Sequence, residues 1–229
     1  MHKLPANDEG VREALCVLGK GGVVAHATET CYGLACDLTN LAAVEKLFAI
    51  KKRPQNQPVS VLFPSVEETK RYVVWNTQAE ELARENLPGP LTLILPLRND
   101  LPTPLFPTPS SRTEDTRETR SPRAEVPTVG IRISSHPIAS TLARCFGRPL
   151  STTSANIHGR FNVYSAEEIQ RQFESDVNGE SSVTLSLTKG DRRIFLILDS
   201  GPIPPTPPST VIDCTKESPR TIRSGSVCI

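Results

Sequence analysis

Residues 21–34 read GGVVAHATETCYGL, and this stretch decides the fold class. Its first half (21–27) is a short, mostly apolar run behind two glycines, which predicts a buried strand. Its second half places the hydroxyls of Thr28 and Thr30, the Glu29 carboxylate and the Tyr32 phenol in a turn after that strand. Polar groups at the end of a buried strand are where open α/β sheets bind ligands. The same hydroxyls also suit a plain turn in which they satisfy backbone donors. His26, inside the apolar run, reads as a core histidine.

Outward from this stretch, helix and strand patterns alternate. Asn7 or Asp8 caps a helix with Val11, Ala14, Leu15 and Leu18 on one face, ending at Gly19–Gly22. A second helix starts near Asn40, shows Val44, Leu47 and Phe48 on its apolar face, and stops at Pro54. Strands are predicted at 58–63, 91–97, 128–134, 193–199, 209–215 and 220–225, with a short strand and turn at 149–155. Further helices are predicted after Ser65, from Pro137 toward Cys145, and over 165–173. The pattern indicates an α/β protein around a largely mixed sheet. The segment 103–127 is rich in Pro, Ser, Thr and charge, with almost nothing apolar after Phe106. It lies between two apolar strands and reads as a mobile insertion loop within a single domain spanning 7–229.

Composition narrows the function. The chain has 229 residues with 26 Lys+Arg against 25 Asp+Glu, a net charge of +1. That length buries about 70% of the unfolded surface. The charge balance provides no large basic field for capturing nucleic acid, although a local basic patch is compatible with it. No apolar run approaches the roughly 20 residues of a membrane helix, and the N-terminus lacks the apolar stretch of a signal peptide. A cytoplasmic protein with no membrane association is expected. The six cysteines form no C-x-x-C pair, and a reduced, mostly structural role is expected for them.

Several catalytic signatures are absent. Gly19-Lys20-Gly21 is not a P-loop, because Gly21 stands in place of Ser/Thr and Ala14 in place of the first glycine. There is no G-x-G-x-x-G and no local Ser-His-Asp signature. What remains are cations and hydroxyls. Lys51 and Arg53 flank the end of the second helix, where they could meet a polyphosphate or simply complement the helix dipole. Ser151–Ser154 and Asn156 form a row of hydroxyls and an amide suited to a phosphate or an amino acid, or to a capped turn.

The ordered series T-E-T-C-Y-G-L, K-x-R-P, L-P-G-P-L-T-L, V-G-I-R, S-A-N and S-T-V-I-D…R-x-G resembles the YrdC/TsaC family of threonylcarbamoyl-AMP synthases. The resemblance runs from about Val11 to Gly225 around the 103–127 insertion, and corresponds to the short, single-domain form. It implies a YrdC-like twisted open mixed sheet flanked by helices, with a concave basic cavity. It implies condensation of L-threonine, bicarbonate and ATP, with Mg²⁺ carried on the ATP phosphates, into threonylcarbamoyl-AMP and pyrophosphate for tRNA t6A modification. By the family's motifs, Thr30, Arg132, Thr152 and Ser209 would bind threonine. Lys51, Arg53 and Gln57 would meet the ATP phosphates, with Lys51 and Arg53 catalytic and facing solvent in the cavity. Thr128, Ser154, Asn156, Asn162 and Arg223 would line the nucleotide side. No dedicated metal ligands are implied. Partners implied are tRNA or double-stranded RNA and the downstream threonylcarbamoyl-transfer complex.

This chain departs from the pattern at Ala27 for Pro, Lys52 for Gly, Ser224 for Pro, and Leu62 where some members place a threonine-contacting His. Two other readings share the fold: carbamoyl-adenylate chemistry on another acceptor, and a non-catalytic double-stranded-RNA-binding module.

Overall fold

The computed structural model describes residues 2–54, 58–101, 127–174 and 195–228. Most of the 103–127 segment, Gln57, and the first two residues of the predicted 193–199 strand lie outside them. Among the described residues, ten strands and six helices follow in the order β1 (His2–Pro5), α1 (Asp8–Gly19), β2 (Val23–Ala27), β3 (Tyr32–Ala35), α2 (Leu41–Lys51), β4 (Ser60–Leu62), α3 (Val66–Thr69), α4 (Thr77–Asn86), β5 (Leu91–Pro96), β6 (Thr128–Arg132), α5 (Pro137–Phe146), β7 (Leu150–Ser154), α6 (Ala166–Glu174), β8 (Phe195–Asp199), β9 (Thr210–Asp213) and β10 (Arg220–Arg223). The strands form one sheet in the order β1-β8-β2-β3-β7-β4-β6-β5-β9-β10. It is mixed: β8 runs parallel to β1 and β2, β4 to β6, and β5 to β9, while the remaining neighbours are antiparallel.

The capping residues act as the sequence indicates. Asn7, Asn40 and Ser65 each accept a backbone N–H of the first turn of α1, α2 and α3. On α1, Val17 rather than Leu15 joins Val11, Ala14 and Leu18 in the buried face. Helix α2 ends at Lys51, ahead of Pro54, because Lys52 adopts φ 49 and ψ 38 as its C-cap. That left-handed conformation favours glycine, which accounts for the glycine the family carries there.

The glycine-led stretch 21–34 holds a correction. Its turn is confined to residues 28–31, and Tyr32–Ala35 is a strand that pairs antiparallel with β2, His26 opposite Gly33. Strand β1 and helix α4 were not expected from the sequence either.

Alternation along the strands splits the core. Val23, Ala25, Val61, Leu91, Leu93, Val129, Ile131 and Ile212 face a cluster shared with α2, α4 and α6. Val24, Ala35, Leu62, Leu150, Leu196 and Leu198 face the other way, into a cluster shared with α1 and α5. Helices α1 and α5 cover only part of that second face, and the uncovered part is the site.

Candidate active site

The floor of the site follows from strand parity. On β4, Leu62 packs under α1 and α5, while Ser60, two residues away on the same face, lines an open cleft. On β7, Leu150 and Thr152 divide in the same way, and on β3 so do Ala35 and Gly33. Register joins these positions across the sheet: Gly33 opposes Ser154, Ser60 opposes Thr152, and Thr92 opposes both Arg132 and Val211. The same sheet face is therefore apolar beneath the helices and lined mainly by hydroxyls and cations beyond them. The cleft there has a volume of about 360 Å³. Leu62 faces the core, so it offers the cleft nothing in place of the histidine of some relatives.

One end is built around Arg132, whose side chain is only 8% exposed. Its Nη2 ion-pairs with Glu29 Oε1 and donates to Thr30 Oγ1 at 3.3 Å, while its buried Nε has no partner among the described residues. The 28–31 turn that brings Glu29 and Thr30 here is held by Thr28, whose hydroxyl donates to Cys31 O at 2.6 Å and accepts from the Thr30 and Cys31 N–H groups. From the proline-rich 201–208 segment, Thr206 Oγ1 bonds the carbonyls of Glu29 and Thr30 at 3.2 and 2.8 Å. Burial works to raise the Glu29 carboxyl, but Arg132 and the Ser134 hydroxyl outweigh it and hold its pKa below the usual carboxylate range.

Ser209 and Arg223 complete this end. Ser209 Oγ lies 3.1 Å from Thr92 Oγ1, and Arg223 donates to Ser209 O from Nε and Nη2 at 3.1 and 2.9 Å and to Ser209 Oγ at 2.9 Å. This grip explains the R-x-G pattern. A Cβ on Gly225 would lie 2.1 Å from Pro208 O and 2.6 Å from Thr210 N, so only glycine lets the end of the chain close against 208–210 and carry Arg223 onto Ser209.

The other end is built around Arg53, which donates to Thr153 Oγ1 at 3.3 Å and to Pro58 O at 2.7 Å and has its buried Nε unpartnered. Ser154 follows Thr153 at this end, and Asn162 also lines the cleft. Burial lowers the pKa of Arg53; burial and the neighbouring Arg132 lower that of Arg223. Both guanidiniums stay cationic, since arginine is not deprotonated in proteins. Cys31 also lines the cleft, and burial pushes its thiol up, which disfavours the thiolate of a nucleophile.

Several expected residues sit elsewhere. Lys51 was expected to face solvent in the cavity, yet it is 3% exposed. Its Nζ is turned inward, donating to the carbonyls of Ser154 and Asn156 and to Asn156 Oδ1. Being in the last turn of α2, it points toward the sheet before Lys52 reverses the chain and lets Arg53 emerge into the cleft. Burial, assisted by Arg53, pushes its pKa down to about 7. Asn156 is likewise buried behind the cleft, accepting from Lys51 and Ser154 and donating to Arg160 O. Thr128 is exposed at the start of β6, paired with Pro96, and is not among the cleft residues. Gln57 lies outside the described residues. Thr30, Arg53, Arg132, Thr152, Ser154, Asn162, Ser209 and Arg223 all line the cleft.

Sequence reasoning missed Ser60, Thr92 and Gly33 as lining residues. Their signal is a small or hydroxyl residue alternating with apolar ones in a buried strand, which becomes informative only once register is known. It also missed the pairing of Glu29 with Arg132.

Among the described residues the cleft is lined by Arg53, Arg132 and Arg223 and by no carboxylate. It is built to take anions, with guanidiniums at both ends and hydroxyls between them. No three His, Cys, Asp or Glu side chains among the described residues come together as metal ligands. The lining hydroxyls fit a divalent cation that arrives already bound to a polyphosphate better than one held by the protein itself.

Comparison with known proteins places these features in context. The Sua5/YciO/YrdC family model, described as telomere recombination, matches residues 16–225. A Vibrio cholerae threonylcarbamoyl-AMP synthase is 32% identical over 173 residues, covering 74% of this chain and 82% of the relative. A Bacillus subtilis threonylcarbamoyl-AMP synthase is 30% identical over 226 residues, 98% of this chain and 56% of that protein. The crystal structure of P. abyssi Sua5 complexed with L-threonine superposes with a TM-score of 0.73 at 28% identity, covering 98% of this chain and 56% of that one.

Proposed function

The chain belongs to the Sua5/YciO/YrdC family, and from that premise we propose that it is an L-threonylcarbamoyladenylate synthase, condensing L-threonine, bicarbonate and ATP into threonylcarbamoyl-AMP and pyrophosphate for tRNA t6A modification. The observation that carries this reading is the placement of guanidiniums at both ends of one hydroxyl-floored cleft.

The threonine carboxylate is assigned to Arg132, whose side chain lines the cleft while Nη2 stays on Glu29. Ser209, Thr30 and Thr152 surround the amino acid. The triphosphate is assigned to Arg53, with Ser154, Asn162 and Arg223 on the nucleotide side. Mg²⁺ carried on the phosphates would supply further neutralisation of their charge.

The chemistry has two steps. The threonine amine adds to bicarbonate with loss of water to give a carbamate. A carbamate oxygen then attacks the α-phosphorus, its bond to the pyrophosphate oxygen breaks, and pyrophosphate leaves. Negative charge grows on the leaving group, where Arg53 stabilises it without proton transfer. Catalysis here is positioning and electrostatics, which needs no nucleophile–base pair. Lys51 acts from behind, holding the 154–156 turn that presents Ser154.

The test is pyrophosphate release by the purified chain with ATP, Mg²⁺, bicarbonate and L-threonine. Release that requires both threonine and bicarbonate is expected. ATP binding without such release would direct the chemistry to another acceptor, and no ATP binding would refute the enzyme reading.

A further inference from the structure

The cleft offers nothing for the flat face of a base. Among the described residues its lining holds Pro58, Pro208 and Val211 as apolar contributors and no aromatic ring. Its volume, about 360 Å³, is at the small end of ligand sites, which run to about 1,000 Å³. On the reading of this cleft as the synthase site, an amino acid and a triphosphate account for that volume, which leaves the base of the nucleotide at the mouth.

Phe161 stands next to Asn162, which lines the cleft and is assigned above to the nucleotide, and it is 93% exposed. Phe48, Phe63, Phe146, Phe173 and Phe195 are all buried or half-buried. The backbone around Phe161 is firmly held. Gln172 of α6 accepts the Ile157 N–H at 2.8 Å and donates to Phe161 O at 3.2 Å, and Val163 O accepts the Tyr32 N–H at 3.0 Å. Gly159 at φ 81 turns the chain into this loop, and the Arg160 N–H closes it onto Ile157 O. An anchored loop thus keeps an uncovered phenyl ring one residue along the chain from the cleft lining, in a site whose described lining has no π-face.

We infer that Phe161 is the platform on which the adenine of the bound nucleotide stacks. The inference rests on the reading of the cleft as an ATP site and adds to it a residue that determines base recognition. Adenine offers a π-face whatever its edge contacts, so stacking provides affinity while Asn162 is left to meet polar atoms nearby.

Isothermal titration of the full chain with ATP, and separately with inorganic tripolyphosphate, tests this in the wild type, Phe161→Ala and Phe161→Trp. For Phe161→Ala the ATP dissociation constant should rise by about 5- to 150-fold, with tripolyphosphate binding unchanged. Phe161→Trp should keep ATP affinity, and the emission of its added indole should be quenched by ATP and not by tripolyphosphate. Unaltered ATP affinity in Phe161→Ala, or an equal loss for ATP and tripolyphosphate, overturns the stacking role while leaving the synthase standing. A wild-type chain that binds no ATP overturns both.

Discussion

Replacing Arg132 by alanine perturbs stability and substrate binding through separate partners, and the two effects can be told apart. The Arg132 and Glu29 side chains are 8% and 16% exposed, so the cation is the main compensation for a carboxylate held out of water. Removing one member of such a buried pair costs about 3–5 kcal/mol. For a chain of this size that lowers the melting temperature by about 6–20 °C. Arg132→Ala also removes the charged donor assigned to the threonine carboxylate, a contact of about 1.5–3 kcal/mol, or about 10- to 150-fold in affinity.

The double variant Glu29→Gln/Arg132→Ala separates these effects. A neutral amide beside Ser134 no longer needs the guanidinium, so most of the lost stability should return while threonine binding stays weak. Thermal unfolding and titration with L-threonine read the two quantities independently. If the double variant melts no higher than Arg132→Ala, the buried-pair argument is wrong. If either variant binds threonine like the wild type, Arg132 is not the carboxylate clamp.

The same physics extends to other positions. Gly225→Ala drives a methyl group into Pro208 O and Thr210 N; it should displace Arg223 and lower kcat/KM by about a hundredfold, whereas Ser224→Ala at the exposed neighbouring position should not, as steady-state assays of both variants would reveal. His26 is fully buried, and desolvation lowers its pKa from 6.5 to about 4. Between those values the unfolded chain binds more protons than the native one, so stability should fall as pH drops from 6.5 toward 4. His26→Phe should flatten that slope in melting temperatures measured across the window, and an unchanged slope would assign the acid sensitivity to other groups such as His136, whose pKa burial also lowers.

The sequence made some elements legible and hid others for identifiable reasons. Asn7, Asn40 and Ser65 could be read as caps because a side-chain acceptor at a helix start is a local signal. Helix α4 escaped because it buries Ala79 and Ala83 on an otherwise polar stretch, which leaves little periodic pattern to detect. Strands β1 and β3 are four residues each; β1 pairs with β8 far away in the chain, and β3 follows β2 after a four-residue turn and also pairs with the distant β7. The site shows the same division. Arg53, Arg132 and Arg223 are recognisable from motifs, but Thr92 becomes a site residue only because register sets it opposite Arg132 and beside Ser209.

The motif K-x-R-P illustrates why an ordered series of motifs can identify a site without saying which residues touch a ligand. Lys51 and Arg53 are two residues apart, and the left-handed Lys52 between them sends one inward and the other outward. Lys51 then binds the carbonyls of Ser154 and Asn156, so K-x-R-P and S-A-N are joined through the protein's interior. R-x-G and S-T-V-I-D are joined similarly, Arg223 gripping Ser209 while Gly225 packs on the backbone beside it. Each pair supplies residues to the cleft, Arg53 with Ser154 and Arg223 with Ser209, and one that fixes them from behind, Lys51 or Gly225. In such an architecture, a substitution at Lys51 reaches the nucleotide through the 154–156 turn, whereas one at Arg53 removes the charge itself.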